Sequence, residues 1–254
     1  MQKIIDAHIH LDHYKIHDIE NILYKNEELE ALIGVSYDHA SCKQNLSFAH
    51  KHPKLKPAFG WHPEQALIMD NEFADLMNWM KENLHEMIAV GEVGLPYYLH
   101  KENPFPIEGY IQRLESFISF AKRVQKPIIL HAVYEDAPLV CHLLEKHSIE
   151  KAHFHWFKGD QETVTRMIQN GYFISVTPDV CYEKEIRDLV SIYPLEKMMV
   201  ETDGPWPFEG PFQGQITHPT MIHQSIRVIS DIKKLPINDV YEQLYSNTKA
   251  FYEL

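Results

Sequence analysis

The chain has 254 residues, 44% of them hydrophobic, with 24 Lys and Arg against 36 Asp and Glu for a formal net charge of −12. That composition is globular and excludes a disordered chain, and no window approaches the ~18 uninterrupted apolar residues of a membrane span. The negative balance argues against a broad electrostatic grip on nucleic acid, so a polyanionic substrate would need a local site or bound cations.

Short β-branched or apolar runs recur near residues 3–9, 30–36, 55–60, 86–93, 127–131, 151–156, 171–176 and 197–201, and read as strands. Amphipathic stretches lie between them, clearest in EFADLMNWMKENL (72–84), IEGYIQRLESFISFAKRV (107–124), DAPLVCHLLEKH (136–147) and DQETVTRMIQNG (160–171). In the last of these, Asp160 is placed to cap the helix start and Gly171 to close its end in a left-handed conformation. Eight strands alternating with helices imply parallel β-α units. A chain of about 250 residues without a linker favours one closed (β/α)8 barrel over an open doubly wound sheet. The segment GPWPFEGPFQGQITHP (204–219) is the one long irregular stretch, placed where a barrel carries an active-site loop.

Cys42, Cys141 and Cys181 are widely spaced and contain no CxxC pair. They supply neither a disulfide framework nor a thiolate zinc site, and they suit a reducing compartment. MQKIIDAHIH enters a strand-like run at once, with no leader pattern, so a soluble cytoplasmic protein is expected.

Histidine is the outlier, with 17 residues. His50, His52, His85, His100, His142 and His147 sit in polar surroundings and read as solvated side chains. Several of the others fall at strand ends. In Asp6-Ala-His8-Ile-His10-Leu-Asp12, side-chain alternation puts His8 and His10 on one face, where two imidazoles can converge on a cation or line a polar mouth as a hydrogen-bonded pair. Glu92 ends AVGEVGL, His131 ends PIILHA, His153 and His155 share a face in KAHFHWF, and MMVETDG delivers Asp203. In a (β/α)8 barrel these tips point into one cavity, and the imidazole and carboxylate set suits a divalent metal.

With those motifs in place, the chain resembles the TatD-like metal-dependent hydrolases of the amidohydrolase superfamily over nearly its whole length. The resemblance rests on IIDAHIHLD, GWHPEQ, AVGEVGL, PIILHA, HFHWFKG, VETDGPW and SNTKAFYEL, in order. It implies a TIM barrel with one or two divalent ions (Mg2+, Mn2+ or Zn2+) that hydrolyses phosphoesters, with deoxyribonuclease activity as the best-known function. By position it implies His8 and His10 as ligands of a first ion and Glu92 as a bridging carboxylate. It further implies His131 and His155 as ligands of a second ion, and Asp203 as both a ligand and the acceptor of the attacking water's proton. His62, in GWHPE, matches a position on the substrate side. His153, outside the HxFxG pattern supplied by His155 to Gly159, reads as a supporting or packed residue, and Asp6 as one that orients a ligating histidine.

The chain departs from the family at Pro96, where an Asp is usual, at Ala132-Val133-Tyr134-Glu135, where a Ser-Arg-Glu style sequence is usual, and in the longer 204–219 stretch. A metallohydrolase is therefore the expectation, with DNA or a small phosphoester as substrate. A small amide, lactone or ester is the alternative substrate class, and a catalytically idle binding barrel the alternative role.

Overall fold

Eight strands, all parallel and paired in chain order, carry the chain around a barrel. Residues 2–254 are described in the structure, a computed structural model. The elements run β1 (Ile4–Ile9), α1 (Ile16–Tyr24), β2 (Leu29–Gly34), α2 (His39–Lys51), β3 (Leu55–Phe59), α3 (Asp70–Glu82), β4 (Ala89–Gly94), α4 (Tyr97–Glu102) and α5 (Glu108–Val124). They continue as β5 (Ile128–His131), α6 (Ala137–Lys146), β6 (Ala152–Phe154), α7 (Gln161–Gln169), β7 (Phe173–Val176), α8 (Lys184–Ile192), β8 (Met198–Val200), α9 (Ile222–Lys233) and α10 (Ile237–Tyr252). The eight strands and the helices α3, α5, α6 and α7 fall where the sequence pattern predicts them.

The seam between β8 and β1 is closed by the chain just beyond β8. Asp203 N–H donates to His8 O (2.9 Å) and His10 N–H to Gly204 O (2.8 Å). Inside the seam the buried Asp6 carboxylate accepts from Thr202 N–H (3.0 Å), Thr202 Oγ–H (2.5 Å) and the His8 backbone N–H (3.3 Å). Asp6 thus clamps two strands and hydrogen-bonds to no imidazole ring among the described residues, which corrects the expectation that it orients a ligating histidine. Burial lifts its carboxyl to about 7 against the opposing hydrogen bonds.

The helices bury one face each against the barrel. On α5 that face is Tyr110, Leu114, Phe117, Ile118 and Ala121, a 3–4 spacing in which Leu114, Phe117 and Ile118 each stabilise the fold by about 1.5–3 kcal/mol. The α7 ends follow the local signals. Asp160 accepts from Thr163 N–H (2.8 Å) at the start, and Gly171 takes φ +71° beyond the last turn. A second buried cluster joins Ala7, Ile33, Ala89, Ile129 and Met199 to Phe251 and Tyr252 at the end of α10.

Two local irregularities matter for the site. Ladder register shifts between Asp6 and Ile9 in β1 and between Val90 and Val93 in β4, bracketing His8 and Glu92. Such shifts re-aim side chains that simple alternation would point elsewhere. Gly94 lets β4 and β5 close up at their tips, since a Cβ there would stand 1.9 Å from His131 O. The strand predicted over 151–156 ends earlier, at Phe154, because the backbone turns sharply at Trp156 (φ +38°).

Candidate metal centre

The tips of β1, β4, β5, β6 and β8 bring His8, His10, Glu92, His131, His155 and Asp203 together, all at most 9% exposed. Glu92 stands at the centre, and its two oxygens face different partners. Oε2 lies 3.1 Å from His8 Nε2 and 3.2 Å from His10 Nε2. Asp203 Oδ1 completes that side, 3.3 Å from His8 Nε2 and 3.6 Å from His10 Nε2. Oε1 lies 2.6 Å from His155 Nε2, 3.0 Å from His131 Nδ1 and 3.5 Å from His62 Nε2. The His8 and His155 rings stack at 3.9 Å and connect the two sides.

The donor set fits divalent cations. Ligand atoms about 2.0–2.2 Å from a shared ion in a tetrahedral arrangement stand roughly 3.3–3.6 Å from one another, close to the spacings seen here. Several of these site-facing atoms also lack a hydrogen-bond partner among the described residues, namely His8 Nε2, Glu92 Oε2 and Asp203 Oδ1. Unpaired buried polar atoms are costly, and converging lone pairs that miss one another in hydrogen-bond geometry are what a cation satisfies. His8, His10 and Glu92 form one group with ligand atoms in mutual reach, and His62, Glu92 and His131 another.

The charges of the cluster support each other. Burial pushes Glu92 upward, but the His155 and His8 charges, with the His10 hydrogen bond, outweigh it and hold the carboxyl well below its usual range. Burial pushes His8 down, yet Glu92 and Asp203 take it up to about 9. For His155, burial is outweighed by Glu92 and Glu201, and the ring is held well above the usual value. Asp203 sits at φ +46°, a left-handed conformation uncommon outside glycine and asparagine, at the point where its side chain must turn into the cavity.

His62 differs from the other histidines. Its Nδ1 accepts the Glu64 N–H (3.2 Å), so the ring proton of the neutral form lies on Nε2, the atom facing Glu92. Burial holds this imidazole down to about 3, so it stays neutral. It therefore faces the cavity as a hydrogen-bond donor and offers no lone pair there.

Two carboxylates escaped the sequence reading. Glu64 accepts from Tyr98 N–H (2.8 Å) and Leu99 N–H (2.7 Å) at the start of α4, and faces His131 Nε2 at 3.1 Å. Both His131 ring nitrogens thus face a carboxylate, Nε2 toward Glu64 and Nδ1 toward Glu92, and these contacts raise the imidazole against the effect of burial. Glu201, fully buried, accepts from Trp156 N–H (2.8 Å) and lies 3.6 Å from His155 Nδ1. Both were written in quoted motifs, GWHPEQ and VETDGPW, but only the folded geometry shows which histidine each one serves. His153 lies deeper, away from the metal-facing atoms, bonded to Tyr252 and Ser175.

The mouth is aromatic and acidic. Tyr97, Tyr98 and Tyr134 cluster beside His131, with ring centroids 5.1–5.2 Å apart in successive pairs. Tyr134, in the segment that departs from the family, donates its hydroxyl to Glu185 (3.2 Å). The 204–219 stretch is pinned rather than loose. Phe208 and Phe212 bury against Met221, and Tyr14 donates to Thr217 O (2.9 Å). It leaves Trp206 58% exposed, edge-on to Trp156 at 5.7 Å, and Lys158 Nζ stands 5.0 Å over the Trp156 ring.

A parallel barrel whose strand tips gather imidazoles around a two-faced carboxylate is the architecture of a metal-dependent hydrolase. The chain belongs to the TatD-related DNase family, whose sequence profile matches residues 5–253. It is 35% identical over 253 residues to an uncharacterized metal-dependent hydrolase of Haemophilus influenzae, covering 99% of this chain and 100% of the relative. The crystal structure of YjjV, a TatD homologue from Escherichia coli, matches 100% of this chain and 99% of its own at a TM-score of 0.87 and 24% identity. A TatD family hydrolase from Entamoeba histolytica matches at 0.84 and 20% identity, over 99% of this chain and 98% of its own. These two structures share the fold. No helix among the described residues is long and apolar enough to cross a membrane.

Proposed function

We propose that the chain hydrolyses phosphodiester bonds, with the end of a DNA strand as substrate, using one or two divalent ions (Mg2+, Mn2+ or Zn2+). The observation that carries this reading is Glu92, whose two oxygens each face a separate histidine set. His8, His10 and Asp203 would hold one ion, His131 and His155 the other, with Glu92 between them. Bound there, such ions supply Lewis acidity toward a phosphoryl oxygen and lower the pKa of a water.

The protein's own groups do the rest. The Asp203 carboxyl, pushed up by burial but held as a carboxylate by His8, accepts the water's proton. His62 donates its Nε2–H toward the substrate oxygen that gains charge. Glu64 and Glu201 keep His131 and His155 turned with their lone pairs inward. Lys158 and the Trp156–Trp206 pair offer a cation and stacking faces at the rim, suited to a phosphate and a base. The three free cysteines suit action in a reducing cytoplasm.

A second reading follows from the acidic, tyrosine-lined rim and the missing arginine after His131: hydrolysis of a small lactone, ester or amide. End-labelled single-stranded DNA, a nitrophenyl phosphodiester and a lactone panel, each with Mg2+ or Mn2+, separate the two. Wild type is expected to shorten DNA, with Glu92→Ala and Asp203→Asn reduced at least about 100-fold. Equal degradation by all three proteins would mean a contaminating nuclease, and a fast lactone rate without phosphodiesterase activity would move the assignment to the small ester.

A further inference from the structure

A polar thread runs through the barrel interior beneath the metal-facing histidines. Tyr252, at the C-terminal end of α10, places its hydroxyl 2.7 Å from His153 Nδ1. His153 Nε2 lies 2.5 Å from Ser175 Oγ on β7. Ser175 Oγ in turn bonds to Glu201 Oε2, and Glu201 Oε1 faces His155 Nδ1 at 3.6 Å. Tyr252, His153, Ser175 and Glu201 are each no more than 2% exposed.

Proton counting fixes the direction of every link. A carboxylate only accepts, so Ser175 gives its hydroxyl proton to Glu201. The Ser175 oxygen must then accept from His153, which places the His153 proton on Nε2. His153 Nδ1 is left as an acceptor, and Tyr252 O–H fills it. A doubly protonated His153 would strand the Tyr252 proton, whose hydroxyl has no other partner among the described residues. One arrangement satisfies Tyr252, His153 and Ser175, and it turns the Glu201 carboxylate toward the Nδ1 side of His155, 3.6 Å away. That nitrogen has no hydrogen-bond partner among the described residues.

We propose that His153, Ser175 and Tyr252 are positioning residues that act through Glu201 to hold His155 with its proton on Nδ1 and its Nε2 lone pair toward the metal centre. The reading of His155 as a ligand is presupposed. The thread explains why a buried chain of polar groups replaces apolar packing here, since a half-satisfied network would destabilise the core more than hydrocarbon would. It also ties the end of α10 to the metal centre, at the far side of the barrel from the mouth.

Two measurements test it on the full chain. Long-range 1H–15N correlation of the histidine rings is expected to show His153 neutral with its proton on Nε2, and the opposite tautomer or a cationic ring would overturn the proposal. Zn2+ affinity, measured by competition with a chromophoric chelator, is expected to fall roughly 10- to 100-fold in Ser175→Ala and His153→Leu, and by less in Tyr252→Phe. His153→Gln keeps a donor toward Ser175 and should restore affinity that His153→Leu loses. A packing role predicts the reverse order, because leucine fills the volume as well. If the unfolding midpoint of His153→Leu shows it unfolded, Ser175→Ala and Tyr252→Phe decide. Wild type binding no Zn2+ would overturn the metal-centre reading itself, whereas tight binding by wild type with all variants within twofold would overturn the thread alone.

Discussion

Individual residues at the strand tips carried most of what was readable before folding. His8 and His10 share a face by alternation alone, and His131, His155 and Asp203 follow from strand ends rich in Ile, Leu, Val and Met. Glu64 was invisible in that sense, because it reaches His131 from a loop 67 positions away while also receiving the first amides of α4. Its double duty separates two substitutions. Glu64→Gln keeps an acceptor oxygen but loses the charge, and Glu64→Ala loses both. Because outer-sphere partners of a ligating histidine typically contribute 10- to 100-fold in metal affinity, Glu64→Ala should weaken metal binding by about that factor and Glu64→Gln by less. Chelator competition at fixed pH measures both, and wild-type affinity in Glu64→Ala would show that His131 needs no orienting partner.

At the scale of elements, sequence pattern located strands well because buried parallel strands are continuous apolar runs, and amphipathic helices such as α5 announce themselves by period. It was blind to the register shifts in β1 and β4, which depend on what each strand packs against. The same holds for Asp6, whose motif suggested a service to histidine but whose carboxylate clamps β8 through Thr202. Gly94 marks where two elements meet most closely. The obstacle to a Cβ there is the His131 backbone, which cannot swing aside as a side chain would. Gly94→Ala should therefore destabilise the fold by about 1–3 kcal/mol, the range for overpacking, and also displace the β5 tip that carries His131. Urea unfolding and metal titration on the same sample test this, with a loss in both expected; unchanged stability would mean the strands separate freely.

For the whole molecule, the metal centre is also a folding problem, because the barrel closes around two carboxylates and several imidazoles that need one another or a cation. His8 shows the direction. Its folded value, about 9, exceeds the ordinary 6.5, so its proton stabilises the metal-free fold fully below pH 6.5 and that contribution is lost as pH rises through 9. A cation bound by His8 must displace that proton, so metal affinity should rise over the same interval. The two trends oppose each other: as pH climbs from 6.5 to 9 the metal-free protein loses this contribution while the loaded protein keeps its centre. The rise in unfolding midpoint on adding a fixed excess of Zn2+ to chelator-stripped protein should accordingly be larger at pH 9 than at pH 6.5, since ligand stabilisation grows with the ratio of free metal to its dissociation constant. Differential scanning calorimetry with and without metal at several pH values tests this. A metal-induced shift independent of pH would mean that no proton leaves the cluster on binding, and would remove His8 from the ligand set.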